Sequence, residues 1–152
     1  MRILLDTNVL IDLYTQRPPD GDIAQKLLIM KEFGDAELWV SAKSFTDVFY
    51  VLRKTYNSEF IQNAFDESYQ WLEICSVDAS DIHLASSRKW DDFEDCLIDI
   101  CAEKIKADYL LTRNESGFIN AHVQAVSPAD FFNYLQEEYG LVYDFVDFPA
   151  ED

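Results

Sequence analysis

Arg2-Ile3-Leu4-Leu5-Asp6-Thr7-Asn8-Val9-Leu10-Ile11-Asp12-Leu13 opens the chain, and its pattern changes at the first acid. Before Asp6 lies an apolar run of strand length. From Asn8 to Tyr14 the apolar residues return at helical spacing, so a strand is expected to feed a helix through Asp6. The alternation continues outward from this unit. Strands are expected at residues 2–5, 37–41, 73–77, 109–112 and 123–126, and helices at 8–14, 22–33, 43–56, 59–72, 79–87, 93–106 and 128–138. Ser127-Pro128 marks the start of the last helix, a cap followed by proline in the first turn. Strands separated by helices need crossover connections, which give a mostly parallel sheet covered on both faces, an α/β fold.

Composition bounds this reading. The 152 residues suit one domain, and 49% hydrophobic content with 14% aromatics is enough for a real core. The domain is expected to end near residue 138, leaving an acidic, aromatic tail over 139–152. Leu141-Val142-Tyr143-Asp144-Phe145-Val146-Asp147-Phe148 is apolar for a tail, so it is expected to dock on the domain or on another chain, or to add an edge strand. No apolar run approaches the roughly 18–20 residues of a membrane span. An acid at position 6 comes too early for a secretory leader, and three cysteines without metal spacing read as reduced thiols. A cytoplasmic domain without membrane contact is expected. The formal net charge is −17, which repels nucleic acid and attracts basic partners. A polyanionic substrate would therefore need cations at the site.

In an open parallel sheet the chemistry gathers at the carboxyl ends of the strands. There stand Asp6-Thr7-Asn8, Ser41 and Thr112-Arg113-Asn114. Asp6 alone reads equally well as a helix cap. Asp91-Asp92-Phe93-Glu94-Asp95-Cys96-Leu97-Ile98-Asp99 adds company. At about 100° per residue, Asp92, Asp95, Asp99 and Glu103 fall within roughly 80° of arc on an otherwise apolar helix. That stripe is either a solvated acidic face or a site, and like charges at these spacings repel mildly. Asp47, in the opening turns of the helix after the second strand, could face the same mouth.

These residues resemble the PIN-domain family. The resemblance rests on Asp6-Thr7-Asn8-Val9-Leu10-Ile11-Asp12-Leu13, Asp92-Phe93-Glu94-Asp95, Leu110-Leu111-Thr112-Arg113-Asn114 and Ser127-Pro128-Ala129-Asp130-Phe131, in that order. It covers about residues 1–135 and implies a three-layer α/β/α sandwich with a mostly parallel central sheet. It also implies a metal-dependent endoribonuclease, most often the toxin of a bacterial toxin–antitoxin pair, whose acids hold Mg²⁺ or Mn²⁺. Carried over position by position, Asp6 matches the first acid, Asp47 the second and Asp95 the third. Asn114 falls on the polar position that follows the Thr-Arg pair. The family commonly has a further acid where this chain has Gly117, and Glu115 is the nearby carboxylate that could stand in.

The expected chemistry follows from the residue types. Hard oxygen ligands such as Asp6, Asp47, Asp95 and Glu115 suit Mg²⁺, which neutralises phosphate charge and supplies a water nucleophile. His83 and His122 are far apart in sequence, which argues against zinc. Hydrolysis of RNA by metal-activated water is the expectation, with a 5′-phosphate and a 3′-hydroxyl as products by the resemblance. Arg113 and Lys43 are the candidate phosphate contacts, and a salt bridge to a site acid is the plainer role for Arg113. A catalytically weakened PIN fold that binds a basic protein partner is the alternative reading. An aspartyl phosphotransferase ranks below both, since Asn8 stands where that chemistry commonly has a second Asp. A basic antitoxin suits either leading reading, and the tail could serve that interface or a homodimer.

Overall fold

The computed structural model describes residues 1–144. Five strands, β1 (Arg2–Leu5), β2 (Glu37–Ser41), β3 (Leu72–Cys75), β4 (Tyr109–Leu111) and β5 (Ala125–Val126), form one sheet in the order β3-β2-β1-β4-β5. Every described strand pair is parallel. Seven helices connect or follow them: α1 (Thr7–Thr15), α2 (Asp20–Glu32), α3 (Ala42–Leu52), α4 (Ser58–Ser68), α5 (Ala79–Arg88), α6 (Phe93–Lys104) and α7 (Pro128–Tyr139).

Side-chain alternation explains the layers. Ile3 and Leu5 of β1, Leu38 and Val40 of β2 and Leu111 of β4 pack with α1, α2, α3, α4 and α7. Leu4 and Leu110 point to the opposite face, against Ile98, Cys101, Ala102 and Ile105. β1 is buried on both faces because it is the central strand and its run is apolar throughout. The fold is thus the expected three-layer α/β/α sandwich. Among the described residues, no helix is long and apolar enough to cross a membrane.

The differences from the sequence reading have local causes. α3 stops at Leu52, not near Tyr56, because Asn57 must leave helical geometry to cap α4, its side chain accepting from the Phe60 N–H. β5 is shorter than expected because the His122 and Val123 N–H groups donate to Asp99 rather than to β4. After the left-handed cap at Gly140, residues 141–144 form no strand. Tyr143 packs on Phe132 and donates its hydroxyl to Asp35 at 2.7 Å. Residues 145–148 of the expected docking segment lie outside the described residues.

The acidic stripe of α6 divides between two environments. Asp92 and Asp95 lie at the strand mouth, whereas Asp99 is fully buried. Its carboxylate accepts from the His122 N–H at 3.0 Å and the Val123 N–H at 3.3 Å, with Arg88 Nη1 3.4 Å away. Arg88 also donates to Glu103 at 2.9 Å, so this cluster ties α5, α6 and the segment before β5 together. Asp99→Ala should destabilise the protein by about 3–5 kcal/mol, since it strands a poorly exposed guanidinium and two backbone donors. Urea unfolding measures this directly.

Candidate active site

Strand order reverses direction at β1, whose neighbours β2 and β4 lead away on opposite sides. A crevice opens there, at the carboxyl ends of β1 and β4. Asp6 closes β1 and caps α1, accepting the Thr7 N–H at 2.7 Å. Thr112, just past β4, donates its hydroxyl to Asp6 at 2.8 Å, and the Asn8 amide donates at 3.3 Å. The carboxylate is thereby held by three donors while being only 5% exposed. Burial raises its pKa, against the pull of Thr112 and Thr7, and the Asp92 charge adds to the rise.

From the other side α6 points its first turn into the same crevice. Asp92 caps α6, accepting the Asp95 N–H at 3.0 Å. Asp6, Asp92, Glu94, Asp95 and Asn114 line one cleft of about 260 Å³, together with Thr7, Asn8 and Ile11. Asp95 is pushed up to about 7, first by burial and then by Asp92, Asp6 and Glu94. Burial also raises Glu94, against the attraction of Lys43. Asn114 is fixed by its N–H, which donates to the Thr112 hydroxyl at 3.0 Å. Four carboxylates with so few cations form an electrostatically unsatisfied group. Hard oxygen donors in such a group fit a divalent ion such as Mg²⁺ or Mn²⁺.

The remaining sequence candidates take other positions. Lys43 Nζ forms ion pairs with Asp47 and, at 3.3 Å, with Glu94. Asp47 therefore stands beside the mouth behind a lysine, and is not among the residues lining the cleft. Burial disfavours the Lys43 charge, but these two carboxylates raise its pKa overall. Arg113 turns away, its Nε 2.8 Å from Asp12 and its Nη1 3.6 Å from Asp20. Glu115 does not join the acids: its carboxylate accepts the Ser127 N–H at 2.8 Å, ahead of α7. Gly117 does face the site, and a Cβ there would collide with the Asp95 carboxylate and the Asn114 amide. The position is built for a residue with no side chain while Asp95 keeps this rotamer.

Asp92, which the sequence left open between a solvated acidic face and a site, lines the cleft, as does Glu94, which was not among the candidate ligands. Their signal was the capping distance from Asp92 to Asp95 and the density of acids at a helix start. A second group, Asp99, Glu103 and His122, also brings three ligand atoms within 4.8 Å of one another. His122 Nδ1 lies 3.0 Å from Asp99 and 2.9 Å from Glu103. With the Arg88 guanidinium against both carboxylates, that group already has its counter-charge.

The PIN-domain family model matches residues 2–116, which include Asp6, Asp95 and Asn114. The chain belongs to the PIN-domain family. No curated protein sequence matches it. Among solved structures this PIN domain is similar to VapBC2 from Rickettsia felis, bound to a DNA fragment from its promoter, at 18% identity and a TM-score of 0.64, covering 84% of this chain and 98% of that one. It is also similar to VapBC-1 from nontypeable Haemophilus influenzae, at 20% identity and a TM-score of 0.62, covering 85% and 99%. A toxin–antitoxin complex from Klebsiella pneumoniae shares 22% identity, with a TM-score of 0.60 and coverage of 83% and 97%. At these identities the likeness is one of fold.

The raised carboxyls set a pH dependence of stability. Asp95 titrates near 7 in the folded chain and near 3.8 as an ordinary Asp, so between these values the folded state holds a proton that the unfolded state releases. Its contribution is complete below about pH 4 and is lost as pH rises through 7. In EDTA, Tm should fall between pH 5 and 8, and Asp95→Asn should flatten that fall. Differential scanning calorimetry across the range checks both.

Proposed function

We propose that this PIN domain is a divalent-metal-dependent endoribonuclease that acts as the toxin of a toxin–antitoxin pair in the cytoplasm. The observation that carries the reading is the convergence of Asp6, Asp92, Glu94, Asp95 and Asn114 on one cleft at the reversal point of the sheet. Asp6 and Asp95 are the principal ligands for Mg²⁺ or Mn²⁺, with Asp92 and Glu94 beside them. Asp47 contributes through Lys43, and Glu115 only if it releases Ser127. When bound, the ion supplies phosphate charge neutralisation and a nucleophilic water near neutral pH.

The chain's own residues do the rest. Thr112 and the Thr7 N–H fix the Asp6 carboxylate, so its orientation is set before any ligand arrives. Asn114 presents an amide at the rim, held by Thr112 and a hydrogen bond from the Ser116 hydroxyl at 3.1 Å. Lys43 keeps a positive charge at the edge of the acids, where a substrate phosphate would otherwise meet only anions. The net charge of −17 favours a basic protein partner. The similar toxin–antitoxin complex from Klebsiella pneumoniae supports an antitoxin in that role. Gly117 favours a second reading, a weakened nuclease fold that keeps only its partner binding.

Single-stranded RNA of mixed sequence, incubated with Mg²⁺, Mn²⁺ or EDTA, separates the two. Cleavage should require metal and fall at least about 100-fold in Asp95→Asn, the lower end for loss of one catalytic carboxylate. Absence of cleavage by folded wild-type protein in either metal selects the binding reading.

A further inference from the structure

Of the chain's four glycines, three answer to the path of the backbone. Gly34 and Gly140 sit at positive φ, and a Cβ at Gly21 would overlap the Gln16 backbone. Gly117 is different. It lies in the 3₁₀ turn Glu115–Phe118, at right-handed backbone angles open to any L-residue, and its N–H donates to the Asn114 carbonyl at 3.1 Å. Nothing in that geometry asks for glycine. The nearest atoms to a Cβ built there are Asp95 Oδ2, which it would overlap, and Asn114 Nδ2, at 2.7 Å. Both are the ends of side chains that line the acidic mouth.

The turn is pinned and has no room to retreat. Phe118 is buried in one cluster with Ile98 and Cys101 of α6, and at the other end Glu115 accepts the Ser127 N–H at 2.8 Å. Asn114 is tied through its N–H to Thr112 at 3.0 Å and through its side-chain oxygen to the Ser116 hydroxyl at 3.1 Å. The Asp95 carboxylate, in contrast, receives no hydrogen bond from the described residues. Its direction is set by the space it is given, and the bare backbone of Gly117 is the floor of that space. A side chain at 117 would therefore displace Asp95 to another rotamer before it moved the fold.

We infer that Gly117 is a positioning residue of the metal site: its missing side chain seats the Asp95 carboxylate beside Asn114, in the cleft shared with Asp6, and a larger residue turns it away. The inference rests on the metal-dependent reading above and deepens it, since the bare position makes room for a ligand instead of marking a lost one. The space that an acid at 117 would need is already filled by the Asp95 carboxylate. An acid there would thus exchange one carboxylate for another.

Titration of metal-free protein with Mn²⁺, read from the free-ion electron paramagnetic resonance signal, tests this in Gly117→Ala and Gly117→Asp. The control is Ile119→Ala, which trims a side chain that is 85% exposed just past the same turn. Gly117→Ala should weaken Mn²⁺ binding about 10–100-fold, the range for losing a group that orients a metal ligand. Its Tm in EDTA should stay at or above that of the wild type, because the turn accepts a Cβ and the unfolded chain loses freedom. Gly117→Asp should bind no more tightly than the wild type, and Ile119→Ala should match it. Wild-type affinity in Gly117→Ala overturns the inference. So does a fall of its Tm in EDTA by more than about 5 °C, which would make the glycine a residue of the fold. Tighter binding by Gly117→Asp also overturns it and marks the position as one that lacks an acid. If the wild type shows no saturable Mn²⁺ binding, the metal-dependent reading fails first and this inference falls with it.

Discussion

The hydrogen bond from Thr112 to Asp6 joins the ends of the two strands between which the crevice opens. It is 2.8 Å long and buried, and it links residues 106 positions apart in sequence. Asp6 is at once the last word of β1, the cap of α1 and an acid of the mouth. Its carboxylate can serve all three because each oxygen finds a donor at a strand or helix end: the Thr7 N–H on one, Thr112 and Asn8 on the other. Burying a charge without such donors would cost several kcal/mol. With them, the sheet presents a fixed carboxylate at the one place where the topology leaves room for a ligand.

Around Asp6 the site is assembled against its own electrostatics. Asp92, Glu94 and Asp95 arrive on the first turn of α6, where the helix dipole favours acids, but they face each other as well. Burial first, and then the charges of Asp92, Asp6 and Glu94, push Asp95 up to about 7. Lys43 offsets part of this repulsion from α3, bridging Asp47 and Glu94. Raised carboxyls in a cleft are a mark of functional sites, because a fold selected only for stability would disperse such charges.

Much of this was legible in the sequence because it depended on local pattern. The apolar run of residues 3–5 predicted a strand, and the acid after it fell at the strand mouth. The stripe on α6 was also readable, but not its division, because Asp99 is buried through donors from His122 and Val123 some two dozen residues away. The same distance hid the partnership of His122 with Asp99 and Glu103. Arg113 was placed near the mouth by chain position, yet its side chain follows Asp12 and Asp20, whose proximity depends on how α2 starts. Glu115 looked like a spare acid, and its carboxylate instead serves a backbone donor ahead of α7. Periodicity locates an element, whereas the rotamer of a long side chain is decided by tertiary neighbours.

Two carboxylate groups therefore compete for the role of metal centre, one at the mouth and one around His122, and only the first lacks its counter-charge. Titration of metal-free protein with Mn²⁺, followed by the loss of the free-ion electron paramagnetic resonance signal, decides between them. The account predicts saturable binding that is lost in Asp6→Asn and retained in His122→Ala. Binding retained in Asp6→Asn and lost in His122→Ala, or no saturable binding by the wild type, would contradict it.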